Sequence, residues 1–119
     1  MREIVFRGRD ISGQWHYGVP LMLNEDYVCI AKLNEHNKTV EYKTLGQYTG
    51  LTDKNGKKIF EGDIVKYRNN LPCKIDYIDS QFVMMWKNFY RNFERVYDDE
   101  IEIIGNTHDN KLEDFENGC

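Results

Sequence analysis

Apolar residues recur at every second position along much of this chain, the period of a strand with one face buried. Ile4 and Phe6 alternate with charged neighbours, and Trp15, Tyr17 and Val19 alternate beyond Ser12-Gly13. Together they predict a hairpin whose apolar side chains share one face, with His16, out of phase with Trp15 and Tyr17, on the solvent side. Residues 27–32 form a denser apolar run. Across the polar stretch 34–38, Val40 and Tyr42 alternate with Glu41 and Lys43, which predicts two further strands joined by a turn.

Asp53-Lys54-Asn55-Gly56 supplies the Asn-Gly pair that a type I′ hairpin favours, because both central residues need positive φ. Ile59-Phe60 reads as a short strand, Glu61-Gly62-Asp63 as a sharp bend, and residues 64–67 as a restarted strand, the way small SH3-like barrels begin. Residues 73–78 and 81–87 flank Asp79-Ser80 as another hairpin, and residues 101–104 close the set before Gly105-Asn106. Phe89, Phe93, Val96 and Tyr97 fall at helical steps and predict one or two turns of helix laid on the barrel. The expected fold is therefore mainly β. An antiparallel β-hairpin N-terminal unit with its connecting hairpin spans residues 1–57, an SH3-like small barrel with a short helical insertion spans 58–107, and an acidic, flexible tail spans 108–119.

Composition agrees with strands. Ala31 is the lone alanine, against eight Tyr, six Phe and two Trp. At 119 residues the chain holds one domain or two very small units, which excludes a large two-lobed enzyme. The net charge of −4 gives no global attraction to nucleic acid or anionic membrane. That figure averages a mildly basic middle, with eight Lys/Arg against four Asp/Glu over residues 54–91, and an acidic end, with nine acids against Arg95 and Lys111 from Glu94 onward. Cys29, Cys73 and Cys119 form no CxxC pair and have no His at metal-ligand spacing. The N-terminus opens with charge and alternation, and no run approaches the ~20 apolar residues of a membrane helix. The expectation is a cytoplasmic protein with ordinary thiols, in which Asn37-Lys38-Thr39 is a chance sequon.

Several constellations resemble chemistry and fail on spacing. Gly50 and Gly56 are separated by five residues where a phosphate-binding loop needs four, and Lys58 stands where that loop needs Ser or Thr. Counted from Asp53, the twelfth position of a calcium loop falls on Ile64, and Gly56 comes two places early. Glu61 and Asp63 flank a bending glycine, where carboxylates bond the turn's own N–H groups. His16, His36 and His108 share no spacing, and Cys73 has no neighbour that would lower its pKa. Asp98-Asp99-Glu100 reads as a solvated turn. One mixture is more specific. Lys54, Lys57, Lys58, Lys66 and Arg68, beside Tyr48, Tyr67 or Trp86, have the composition with which small barrels hold phosphates and stack bases.

The run GQYTGLTDKNGKKIFEGDIVKY, with IEIIGNTHDN after it and REIVFRGRD and WHYG before it, resembles the YopX-like family of small phage and prophage proteins. The resemblance extends from residue 2 to about residue 110. It implies a mostly β protein with an SH3-like barrel in its C-terminal part and an association with bacteriophages and prophages. It brings no catalytic residues. Gly46, Gln47, Tyr48, Thr49, Gly50, Asp53, Asn55, Gly56, Glu61, Gly62 and Asp63 enter as motif positions with structural roles. The expected function is non-enzymatic binding or assembly, through self-association or another protein, with no metal, cofactor or membrane. The competing reading is a nucleic-acid-binding barrel in phage DNA metabolism or regulation.

Overall fold

A computed structural model describes residues 4–32, 34–68, 71–87, 89–93 and 100–110. The chain divides into two compact units, Met1–Tyr48 and Thr49–Cys119. The division falls inside a strand.

In the first unit, β1 (Phe6–Arg9), β2 (Trp15–Met22), β3 (Tyr27–Ala31) and β4 (Lys38–Glu41) form an antiparallel sheet in the order β4-β3-β2-β1. A single 3₁₀ turn, Tyr42–Thr44, leads to β5 (Gly46–Thr52), whose first residues pair with β1 as Phe6↔Gln47 and Arg7↔Gly46. Directly opposed residues share a face. The registers Pro20↔Ile30, Met22↔Val28 and Val28↔Val40 therefore put one set of apolar side chains together. Val28, Ile30 and Val40 are its buried members, with Leu45 packed against them.

The sheet curls around this face. A Cβ on Gly8 of β1 would lie 2.4 Å from Val40 Cγ2 of β4, although β2 and β3 stand between those strands in the sheet. The Thr44 hydroxyl accepts the Arg9 N–H at 2.7 Å and closes the same turn of chain. Curling leaves Tyr17, Val19 and Leu21 on the outer face, 44, 51 and 51% exposed. This corrects the expected phase of the first hairpin: Tyr17 and Val19 point to solvent, while His16, expected on the solvent side, is half-buried, as are Phe6 and Trp15.

The second unit begins with the remainder of β5, beside β6 (Lys58–Phe60). It continues with β7 (Asp63–Tyr67), β8 (Cys73–Ile78), β9 (Gln81–Met85), β10 (Tyr90–Asn92) and β11 (Ile101–Asn106), in the sheet order β10-β9-β8-β7-β11. Four strands thus meander and a fifth returns to pair with the first of them, an order compatible with an SH3-like barrel. A bulge between Ile103 and Gly105 bends the closing strand. Ile59, Val65, Cys73, Ile75, Phe82, Met84, Phe93 and Ile101 make the core.

Two local expectations are corrected. The expected helical insertion is a strand where it is described: Tyr90, Arg91 and Asn92 pair with Met85, Met84 and Val83. Trp86 N–H donates to the Phe89 carbonyl and Phe93 N–H to the Phe82 carbonyl, so the ladder with β9 satisfies this backbone. Phe93 is buried while Phe89 is exposed, which the helical spacing did not anticipate. Val96 and Tyr97 lie outside the described residues. The type I′ turn occurs at Asp79 and Ser80, with φ of 51° and 67°, between the paired Ile78 and Gln81. At the Asn-Gly site Gly56 alone has positive φ, +83°. Bonds from Gly56 N–H to the Asp53 carbonyl and from Asp53 N–H to the Lys57 carbonyl make that loop three residues long.

Candidate functional site

The sequence motif is built into backbone. Tyr48 is buried and its N–H donates to the Val5 carbonyl at 2.8 Å. The Thr49 hydroxyl donates to the Ile59 carbonyl at 2.8 Å and accepts the Leu51 N–H at 3.2 Å. Asp53, 4% exposed, accepts the N–H groups of Asn55 and Lys57 on Oδ1, at 2.9 and 3.0 Å, and that of Ile103 on Oδ2 at 3.2 Å. One carboxylate thereby caps a hairpin and ties it to β11. Asp63, 2% exposed, accepts the Phe60 N–H at 2.8 Å across the Glu61-Gly62 turn, where Gly62 has a φ of +95°. Gly50, at +90°, likewise holds a conformation side chains resist. Asp63 thus spends a carboxylate oxygen on the backbone of its own turn.

The basic strip is interleaved with acids. Lys54 Nζ lies 3.7 Å from Glu102 Oε1, Lys66 stands opposite Glu102 in the β7–β11 register, and Arg68 pairs with Glu100 while its guanidinium lies 4.9 Å from the Tyr67 ring centroid. Lys57 and Lys58 are exposed on β6 and the turn before it. Of the aromatics expected to flank these cations, Tyr67 meets Arg68, and all three are engaged within the fold. Tyr48 is buried, Tyr67 and Trp86 pack against the core, and Trp86 donates its indole N–H to the Leu71 carbonyl while stacking on Phe89.

A different cluster forms in the first unit. Asp10 Oδ1 accepts the Ser12 hydroxyl at 2.6 Å and the N–H groups of Ser12 and Gln14 at 2.9 and 3.0 Å. Its Oδ2 lies 2.8 Å from His16 Nε2. The Ser12 hydroxyl, then His16, then the Gln14 N–H hold the Asp10 carboxyl well below the usual carboxylate range. An ionised carboxylate accepts and does not donate, so Nε2 of His16 carries the proton and Nδ1 is its second functional atom.

His16 opens on a cleft of about 120 Å³ lined by Trp15, Tyr17, Ile30, Lys32, Glu35, His36 and Lys38. The cleft lies where β3 stops at Ala31 opposite Val19, so that the edge of β2 from Trp15 to Gly18 faces the β3–β4 loop. Two histidines that share no sequence spacing are thus brought together, and His108 is not among them. Lys32 Nζ is 3.9 Å from Glu35 Oε2. Arg7 and Arg9 lie over the Trp15 ring at 4.5 and 5.2 Å. Among the described residues no three of His, Cys, Asp and Glu gather as a metal set, and no helix is long and apolar enough to cross a membrane.

Burial pushes the Cys73 thiol up to about 12, while Cys29 is partly exposed. In a Cys119→Ser background at pH 8, a maleimide should label Cys29 in the folded protein and Cys73 only after denaturation, because the thiolate is the reactive species. Mass mapping of the labelled peptides checks this, and rapid native labelling of Cys73 would contradict its burial.

The YopX protein family matches residues 6–113, nearly the whole chain. The chain belongs to the YopX family. A solved structure, the crystal structure of protein EF1440 from Enterococcus faecalis, is similar to it with a TM-score of 0.63 and 23% identity, covering 92% of this chain and 96% of that one. That likeness concerns the fold. No curated protein matches the chain.

For this YopX chain, the family motif marks the framework, whereas the cleft lies outside it. Asp10 carried a readable signal, since Asp two residues before Ser in a turn favours an Asx bond. Lys32, Glu35, His36 and Lys38 carried none, because a loop's approach to a strand edge has no periodic signature.

Proposed function

We propose that this YopX-family protein is a non-enzymatic binding and assembly module of phage or prophage type, self-associating through the outer face of β2 in its first unit. The observation that carries this reading is the row Tyr17, Val19 and Leu21, apolar at every second position and about half exposed. Cys29 and Ala31 of β3 share that face by register, so the surface is wider than one strand. Exposed apolar surface of this kind marks an interaction site. A second copy is the occupant it suits, because two identical apolar faces are self-complementary about a two-fold axis. The alternative route, pairing at the sheet edge, is discouraged: β4 is four residues long with Lys38 and Glu41 at its ends. The phage association rests on the family resemblance.

Analytical ultracentrifugation tests the assembly. The wild-type protein should sediment at twice the mass of the 14.2 kDa chain or more, independent of salt. The double variant Val19→Lys, Leu21→Lys should sediment as a monomer with an unchanged circular dichroism spectrum, since both side chains already face water. A monomeric wild type at 100 μM, or a variant that still assembles, would sink this reading.

A further inference from the structure

The cleft beside β2 lies outside the motif, and it meets the assembly face centred on Val19 and Leu21 at Tyr17. We propose that it is a mononucleotide site, with the phosphate held by Lys32 and Lys38 beside His36, the base against Tyr17 and Trp15, and its polar edge or the ribose meeting Glu35 and His16.

The lining itself narrows the ligand. Lys32, His36 and Lys38 supply cationic or donor groups from the β3–β4 loop and the first residue of β4, and the side chains of His36 and Lys38 make no hydrogen bond or ion pair to any described residue. Lysine ammonium groups suit phosphate as point charges, whereas a planar carboxylate is matched by the guanidinium fork that this cleft lacks. A bare oxyanion would use the cations but leave the aromatic wall idle. An apolar ligand would strand five ionisable side chains, His16, Lys32, Glu35, His36 and Lys38. A ring bearing a phosphate and hydrogen-bond donors uses all three parts of the lining at once.

Size and rigidity agree. About 120 Å³ is close to the ~150 Å³ of an engineered cavity that holds benzene, so it admits one flat ring and leaves sugar and phosphate at the mouth where the lysines stand. His16 is held in place before any ligand arrives. Asp10 fixes its Nε2–H, and the Ser12 and Gln14 bonds fix Asp10, so Nδ1 meets a ligand at little ordering cost. The same chemistry could be presented by a free nucleotide or by one nucleotide of a single strand. This inference does not rest on the assembly reading, because the loop residues that hold the phosphate lie off that face, although Trp15 and Tyr17 share it by the period of the strand.

Two-dimensional ¹⁵N–¹H NMR of the full chain is the test, with separate titrations of uridine monophosphate, adenosine monophosphate, inorganic phosphate and a short oligothymidylate. The expected result is saturable shifts for a mononucleotide at residues 15–17, 30 and 35–38, with inorganic phosphate binding at least ten-fold more weakly. The double variant His36→Ala, Lys38→Ala changes two exposed side chains and should keep the wild-type spectrum elsewhere while losing at least ten-fold in affinity. Oligothymidylate that shifts the same residues at lower concentration would support the site and assign it to a strand; failure of the oligomer to bind, with mononucleotide binding intact, would support it and assign it to the free ligand. Non-saturating shifts, shifts centred on other residues, phosphate as effective as nucleotide, or undiminished binding by the double variant would each overturn it.

Discussion

Asp53→Ala should destabilise the second unit by about 2–5 kcal/mol, a large part of what holds a small domain together. The carboxylate is buried and serves three backbone N–H groups, two within its own hairpin and that of Ile103 in β11. Truncation leaves those donors without a partner, and each orphaned buried donor costs about 1–3 kcal/mol. The sum is discounted because Asn55 and Lys57 sit at an exposed turn where water can reach their amides. Asp53→Asn keeps one carbonyl oxygen and presents an NH₂ to the other set of donors, so it should fall between wild type and alanine. Urea unfolding followed by circular dichroism measures the series at pH 7. Lys57→Ala, an exposed side chain on the same hairpin and not at positive φ, serves as the control and should change stability by less than about 1 kcal/mol. A loss of under about 1 kcal/mol for Asp53→Ala would mean that the motif aspartate is not the staple its geometry describes.

Gly18→Ala should be comparably damaging in the first unit, at about 3 kcal/mol or more, by a steric route. A Cβ at this position would lie 2.3 Å from the Ala31 carbonyl oxygen and 3.0 Å from Ile30 Cγ2. The first of these is backbone and cannot rotate aside, so β2 and β3 must separate where Val19 pairs with Ala31. Gly13→Ala makes the comparison clean: it has a φ of +94° but nothing within 4 Å, and should cost about 1–2 kcal/mol for the left-handed backbone alone. Urea unfolding ranks the two variants. Equal losses would show that conformational freedom, and not the close approach of the strands, explains Gly18. Because Gly18 lies between Tyr17 and Val19, its substitution should also disturb both the cleft and the outer face.

Much of the architecture was readable as period-two alternation. The runs at residues 27–32, 64–67, 73–78 and 101–104 correspond to β3, β7, β8 and β11, and the Gly62 bend stands where a glycine between two carboxylates predicts it. The failures have physical causes. Phe89 and Phe93 have helical spacing, but a three-residue strand has too few positions for a period to distinguish the two structures, and the β9 edge offered its hydrogen bonds. Asn55-Gly56 has the composition of a type I′ turn, yet Asp53 captures the Asn55 and Lys57 N–H groups and sets a three-residue loop. The hairpin β1–β2 alternates as expected, but alternation names two faces without saying which is inside.

The amino-acid sequence alone determined that this is a β protein of the YopX family, because strand period, turn chemistry and a long ordered motif are all local properties written in neighbouring residues. Tertiary structure decided the rest. Which face of β2 meets water depends on the curl that packs Gly8 against Val40, and which polar residues share a cleft depends on where β3 leaves the edge of β2. Both are consequences of non-local packing: a side chain's partner is chosen by the whole sheet closing on its apolar face, and sequence distance does not record that choice.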